Sequence, residues 1–187
     1  WLPQAATVEL RALRIEADAE LAPRQALHPR WAHYGSSISH CMEAATPLGV
    51  WPAVAARRAG ADLLSLGLAG QCHLDPFVAR TIAALDVDRI SAKVGINVVN
   101  ADSLKERVFV PALHGFLDTI RERKPTTPIL LVSPIFCPAA EDHVGPTVRD
   151  GTRFTVLEAA PEVRPGSLTL RRIRTLIAKL VEKRRAL

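Results

Sequence analysis

Apolar residues along this chain fall into short runs that alternate with longer stretches of helical spacing. Trp31–Tyr34 is a short strand candidate, and Val50 to Arg58 is helical in character, with Pro47 and Pro52 near its start, where proline is tolerated. Asp62–Leu66 reads as a second strand, ending in Gly67-Leu68-Ala69-Gly70. Asp75 and Pro76 then look like the N-cap and first residue of a helix reaching Leu85. Arg89–Val94 reads as a third strand, ending in Gly95-Ile96-Asn97. Asp102 or Ser103 is expected to cap a long helix to Arg123, with Val108, Leu113, Phe116, Leu117 and Ile120 lining one face. Ile129-Leu130-Leu131-Val132-Ser133 is a continuous apolar run, the pattern of a strand covered on both faces. Residues 136–165, rich in Pro, Gly and charge, read as a long loop. Leu170, Ile173, Leu176, Ile177, Leu180 and Val181 define a last amphipathic helix.

Four strands separated by helices predict an α/β fold, a parallel sheet with right-handed crossovers. In such sheets functional groups gather where the strands' carboxyl ends open into loops. Ahead of this pattern, Val8, Leu10, Leu13, Ile15 and Ala17 alternate in part and predict one or two edge strands. Pro23, His28 and Pro29 mark a connector. Residues 1–28 are therefore expected to be the remnant of a preceding β-rich domain plus linker, and residues 29–187 the main domain.

Composition narrows the classes. With 187 residues, 48% hydrophobic and 23% charged, the chain suits one ordinary domain with a substantial core, and disorder is excluded. No apolar run has the length of a membrane span, and no basic-then-apolar start resembles a signal peptide. Cys41, Cys72 and Cys137 are odd in number and lack framework spacing, which favours free thiols in a reducing, cytoplasmic compartment. The start at Trp1, without an initiator Met, is expected of a processed or trimmed product. The formal charge of +5 is mild, and much of it lies in Arg171, Arg172, Arg174, Lys179, Lys183, Arg184 and Arg185. These residues keep helical spacing without interleaved aromatics, so they read as the solvated face of a helix, not a nucleic-acid patch. Neither nucleic acid nor membrane is an expected partner, and oligomeric state is left open.

The candidate chemistry centres on Tyr34-Gly35-Ser36-Ser37-Ile38-Ser39, a small-residue turn after the first strand. A hydroxyl becomes a useful nucleophile when it is exposed, near a base, and beside donors for an oxyanion. Ser37 fits the first demand, with Gly35 letting the backbone bend. Gly70 offers a backbone N–H and Asn97 a side-chain amide, and each follows one of the next two strands. His143, beside Glu141 and Asp142, is a candidate base, although sequence neighbours seldom point at one another. His33, His40, His73 and His114 read as hydrogen-bonded structural residues. A mixed zinc site from the cysteines, His40 and His73 lacks close-spaced pairs, and there is no Walker-type phosphate loop. No metal or cofactor is expected.

Three segments together resemble the SGNH or GDSL hydrolases. Gly35-Ser36-Ser37-Ile38-Ser39 is similar to that family's first box, Gly70 to its second, and Gly95-Ile96-Asn97 to its third. The resemblance covers residues 31–187 and is strongest to a bacterial branch with segments like Gly35–His40, Trp51-Pro52-Ala53, Gly70-Gln71-Cys72 and Ser133–Pro138. It implies a three-layer α/β/α sandwich on a parallel flavodoxin-like sheet. It also implies an acyl-enzyme on Ser37, an oxyanion held by Gly70, Asn97 and the Ser37 amide, and a small acylated substrate such as an acetylated sugar. Ser36 and Val98 depart from the family's acidic residues, which concerns loop support more than bond making. The family's Asp-x-x-His box and fifth strand have no counterpart before Leu187, so a fold without its last strand is expected. The implied activity is a serine esterase. Alternatives are an acyltransferase using the same acyl-enzyme, or a non-catalytic relic lacking its base.

Overall fold

A computed structural model describes residues 4–22, 28–151, 153–156 and 164–185. Four parallel strands form the central sheet: β1 (Arg30–Gly35), β2 (Asp62–Gly67), β3 (Arg89–Lys93) and β4 (Ile129–Val132), in the order β2-β1-β3-β4. That is the flavodoxin-like order, in which the sheet is begun at its middle strand and the winding direction reverses after β2. The first strands therefore place their carboxyl ends side by side. Between them run α1 (Ser37–His40), α2 (Trp51–Ala59), α3 (Pro76–Ala84), α4 (Ile96–Ala101) and α5 (Glu106–Arg121).

Strand alternation sorts the sheet into two unlike faces. Ala32, Tyr34, Ile90 and Ala92 point into the main core with Val78, Ile82, Phe109, Leu113, Phe116 and Ile120 from α3 and α5. Tyr34 stacks on Phe116 with ring centroids 5.3 Å apart. The opposite face carries Trp31 and His33 from β1 and Ser91 and Lys93 from β3, with Trp51 of α2 edge-on to His33 at 4.8 Å. One face is oily and the other, at its centre, polar.

Past β4 the segment expected to be one long loop contains a 3-10 turn (Pro138–Ala140) and an antiparallel hairpin, β5 (Thr147–Asp150) with β6 (Arg153–Val156). Residues 157–163 of that expected loop, and Pro23 of the expected connector, lie outside the described residues. The last helix, α6 (Leu170–Arg185), buries Leu170, Ile173, Ile177 and Leu180 in the same core as α5. Arg171, Arg172, Lys179, Lys183 and Arg185 are exposed, as a solvated helix face predicts, and four of its arginines also reach partners on neighbouring segments. Arg171 grips Asp142 with two hydrogen bonds, Arg172 grips Glu106, Arg174 reaches Glu141, and Arg184 reaches Asp118. Opposite charges on neighbouring elements make this basic stretch part of the docking of α6.

Three further expectations are corrected. Val8 to Ala17 forms no strand: Leu10 and Leu13 are each 73% exposed, because alternation yields a strand only where a partner supplies the ladder. Asp102 and Ser103 do not cap the long helix. Asp102 ends the unanticipated α4 in a left-handed turn with φ of 48°, Lys105 starts α5, and Phe109 rather than the exposed Val108 faces the core. β4 is not covered on both faces, since Leu130 is 63% exposed beside an apolar groove lined by Trp31, Ala55, Ala59, Ala61 and Pro128. No helix among the described residues is long and apolar enough to cross a membrane.

Candidate active site

The chain leaves β1 at Gly35 and turns at once into α1. Ser36 is its N-cap, with backbone φ of −85° and its hydroxyl accepting the Ile38 N–H at 3.4 Å. Ser36 is buried, whereas Ser37, the first helical residue, is exposed at the sheet's carboxyl edge. A helix of four residues lasts only because its surroundings hold it. The Cys41 N–H closes on Ser37 O at 2.7 Å, the Trp51 indole N–H donates to Ile38 O at 2.9 Å, and the Leu68 N–H donates to Gly35 O at 2.8 Å.

Gly35 is glycine for a reason other than the expected one. Its φ is not positive, so no unusual bend is required of it. A Cβ there would overlap Ser39 Oγ, lie 2.8 Å from Ser39 Cβ and stand 3.2 Å from His33 Nε2. The missing side chain lets Ser39 lie against β1. Gly67 does the same for α1 from the β2 side, where a Cβ would sit 2.7 Å from His40 N.

The second loop turns at Gly70, which has φ of +73° and open space where a Cβ would be, so conformation rather than crowding selects glycine. Its carbonyl is held 3.0 Å from His73 Nε2, and His73 Nδ1 meets Ser103 Oγ at 2.9 Å. Two residues on, the Cys72 N–H donates to Asn97 Oδ1 at 3.1 Å. That bond joins the Gly70 loop to α4 and settles which end of the Asn97 amide is engaged. With Oδ1 occupied, the Nδ2 donors are left for another acceptor. Asn97 is buried on the first turn of α4, which begins at Gly95 with φ of +109°. Burial pushes the Cys72 thiol up to about 12, so Cys72 is an inert packing residue whose backbone does the orienting.

The histidines separate by environment. His40 Nε2 is 2.6 Å from Gln4 O, and His114 Nδ1 is 3.2 Å from an Arg184 guanidinium nitrogen. His143 is exposed after the 3-10 turn, and the neighbouring Asp142 carboxylate is gripped at both oxygens by Arg171. Among the described residues no three His, Cys, Asp or Glu side chains lie close enough to hold a metal ion.

His33 has the hydrogen-bonded place expected of it, while its burial and the buried Lys93 on the same sheet face were not anticipated. His33 is completely buried between Ser91 and Ser39, and burial, with a smaller push from Lys93, lowers its imidazole to about 4. Lys93, 6% exposed at the end of β3, is itself lowered by burial, and its Nζ meets no hydrogen-bond partner among the described residues. The signal lay in the alternation of β1 and β3, which sets Trp31, His33, Ser91 and Lys93 on one face.

An exposed serine opening a short helix, a left-handed glycine and an oriented asparagine follow three adjacent strands. The comparisons with known proteins bear on the family and the fold. Residues 30–144 match the GDSL-like Lipase/Acylhydrolase family, and the chain belongs to that family. Among solved structures, the salicylyl-acyltransferase SsfX3 from a tetracycline biosynthetic pathway is 34% identical, with a TM-score of 0.71 over 92% of this chain and 43% of that one. A Bacteroides ovatus protein described as a GDSL-like lipase is 21% identical, with a TM-score of 0.63 over 92% of this chain and 44% of that one. AlinE4, an SGNH-hydrolase family esterase, shares the fold at 16% identity, with a TM-score of 0.55 over 86% of this chain and 74% of that one. The chain thus spans less than half the length of the first two. No curated protein sequence matches it significantly.

Proposed function

We propose that this protein works as a serine esterase on small acylated substrates, with Ser37 as nucleophile. The observation that carries the reading is the Cys72–Asn97 bond, which leaves the Asn97 amide protons free in a loop cluster that also holds Gly70. In the proposed reaction Ser37 Oγ attacks the ester carbonyl. The N–H groups of Ser37 and Gly70 and the Asn97 Nδ2 take up the charge of the tetrahedral oxygen. The alcohol leaves with a proton from the base, and water then releases the acid from the acyl-enzyme by the same steps. We place the base on a histidine outside these 187 residues. Arg171 already occupies the Asp142 carboxylate beside the exposed His143, and Glu141 is buried against Arg174, which argues against an oriented pair on that loop.

Transfer of the acyl group to an alcohol instead of water is the second reading, favoured by the 34% identity to an acyltransferase. The two differ in acceptor binding and water exclusion, not in the acyl-enzyme.

A fluorophosphonate that labels activated serines tests the nucleophile: modification is expected at Ser37 and is lost in Ser37→Ala. Hydrolysis of p-nitrophenyl acetate tests the base. Added imidazole is expected to raise the rate saturably and His143→Ala to leave it unchanged, whereas loss of activity in His143→Ala overturns the external base. Diversion of the acetyl group to an added alcohol, in preference to water, distinguishes the acyltransferase. No labelling in the natural full-length protein sinks both catalytic readings.

A further inference from the structure

The polar face of the sheet holds a continuous hydrogen-bonded column directly beneath the nucleophile turn. The Trp31 indole N–H donates to Ser91 Oγ at 2.8 Å, Ser91 Oγ lies 2.7 Å from His33 Nδ1, and His33 Nε2 lies 2.8 Å from Ser39 Oγ. His33, Ser39 and Ser91 are all at least 96% buried, yet each has its partner. Buried polar groups in a chain of this kind stabilise only while every link is kept, which makes the arrangement sensitive to geometry. The column starts on two central strands, where register pairs His33 with Ser91, and ends on α1 two residues after Ser37. Trp31 and Trp51 flank the imidazole at centroid distances of 5.5 and 4.8 Å and fix its plane.

We propose that His33 is a positioning residue for the nucleophile, tying α1 to the sheet through Ser39 so that Ser37 is held at the carboxyl edge. The inference rests on the reading of Ser37 as nucleophile and adds a residue to it. Three features single out α1 as what the column serves. α1 has four residues and little intrinsic stability, so a side-chain tether is where its rigidity must originate. Gly35 leaves room for the Ser39 hydroxyl to approach the imidazole, and any larger residue there would fill that space. Trp51, which braces the ring, also donates its indole N–H to Ile38 O, so the same side chain supports both ends of the link.

A neutral imidazole carries one proton, so one ring nitrogen donates and the other accepts. Since the indole can only donate, the order Trp31 to Ser91 to His33 to Ser39 lets Ser91 accept one hydrogen bond and donate the next. This order puts the imidazole proton on Nε2. Nitrogen-15 spectra of the imidazole should show that single neutral tautomer from pH 8 down to pH 5.5.

Ser39→Ala removes one buried oxygen with little risk to folding, and His33→Phe keeps a flat ring while removing both bonds. Two readouts decide the role: the rate of fluorophosphonate labelling of Ser37, and hydrogen exchange of the His40 and Cys41 amides, which close α1. Each variant should slow labelling at least tenfold and speed exchange in α1 at least tenfold, with β3 amides unchanged. The double variant should lose little beyond His33→Phe alone, because both changes break one link. Wild-type exchange in α1 for both variants overturns the proposal, as does full additivity in the double variant. All labelling is done in the natural full-length protein; its absence there without substitution removes Ser37 as nucleophile, and amide exchange then still reports whether His33 holds α1.

Discussion

Asn97 and His33 show how a single side chain can be fixed by what its neighbours already occupy. The Cys72 N–H takes Asn97 Oδ1, so the amide nitrogen faces the other way. On the proposed reading, Asn97→Ala should lower kcat on p-nitrophenyl acetate by about two to three powers of ten with little change in KM, because the lost donor acts on the transition state. Steady-state kinetics of the two proteins checks this. His33 is fixed by burial. Its folded imidazole titrates near 4 against an ordinary value of 6.5, so the fold prefers the neutral ring. That preference contributes in full above pH 6.5 and is lost as pH falls toward 4. Urea denaturation should show wild type losing about 3 kcal/mol over that window that His33→Gln does not lose. A variant with the same pH slope as wild type would mean that the ring is solvated.

At the scale of elements, α4 and α6 are the pieces whose placement matters most to the site. α4 carries Asn97 and begins at a glycine that no other residue could replace cheaply. Gly95 has φ of +109°, and a Cβ there would lie 2.6 Å from Ile173 Cγ2 of α6. α6 thus presses on the turn that aims Asn97, and its own docking depends on Arg174. The Arg174 guanidinium meets the buried Glu141 carboxylate and also donates to Pro134 O at 3.3 Å, just past the end of β4. Arg174→Ala would leave the buried Glu141 with only the longer contact to Arg171 at 3.9 Å. Fully buried pairs broken in this way cost roughly 3–5 kcal/mol, and with Arg174 partly exposed about 2 kcal/mol is expected. Thermal unfolding should register this as a lower Tm, and an unchanged Tm would show that Glu141 finds another partner.

For the whole molecule, the alternation of strands and helices from residue 30 onward was readable because each core strand is a short apolar run and each long helix keeps its spacing. The candidate site residues were readable as an order, Ser37, Gly70 and Asn97 after three successive strands. α4 and the β5–β6 hairpin were not, since elements of six and four residues carry too few apolar positions to show a period. The open face of β4 was also illegible, because Ile129–Val132 reads the same whether or not something covers it. With Leu130 63% exposed on an edge strand, the 187-residue protein should self-associate with rising concentration. Leu130→Lys should shift sedimentation toward monomer, and no shift would place the contact elsewhere. The sequence by itself determined the parallel α/β order and the three loops that hold the candidate chemistry, because hydrophobic period and glycine placement are local properties. Only the tertiary structure decided that Gly35 makes room for Ser39, that Asn97 is held by the backbone of Cys72, and that His33 is bonded to Ser39 beneath the turn carrying Ser37. Each of these depends on strand register and close approach between segments far apart in the chain, which no local pattern encodes.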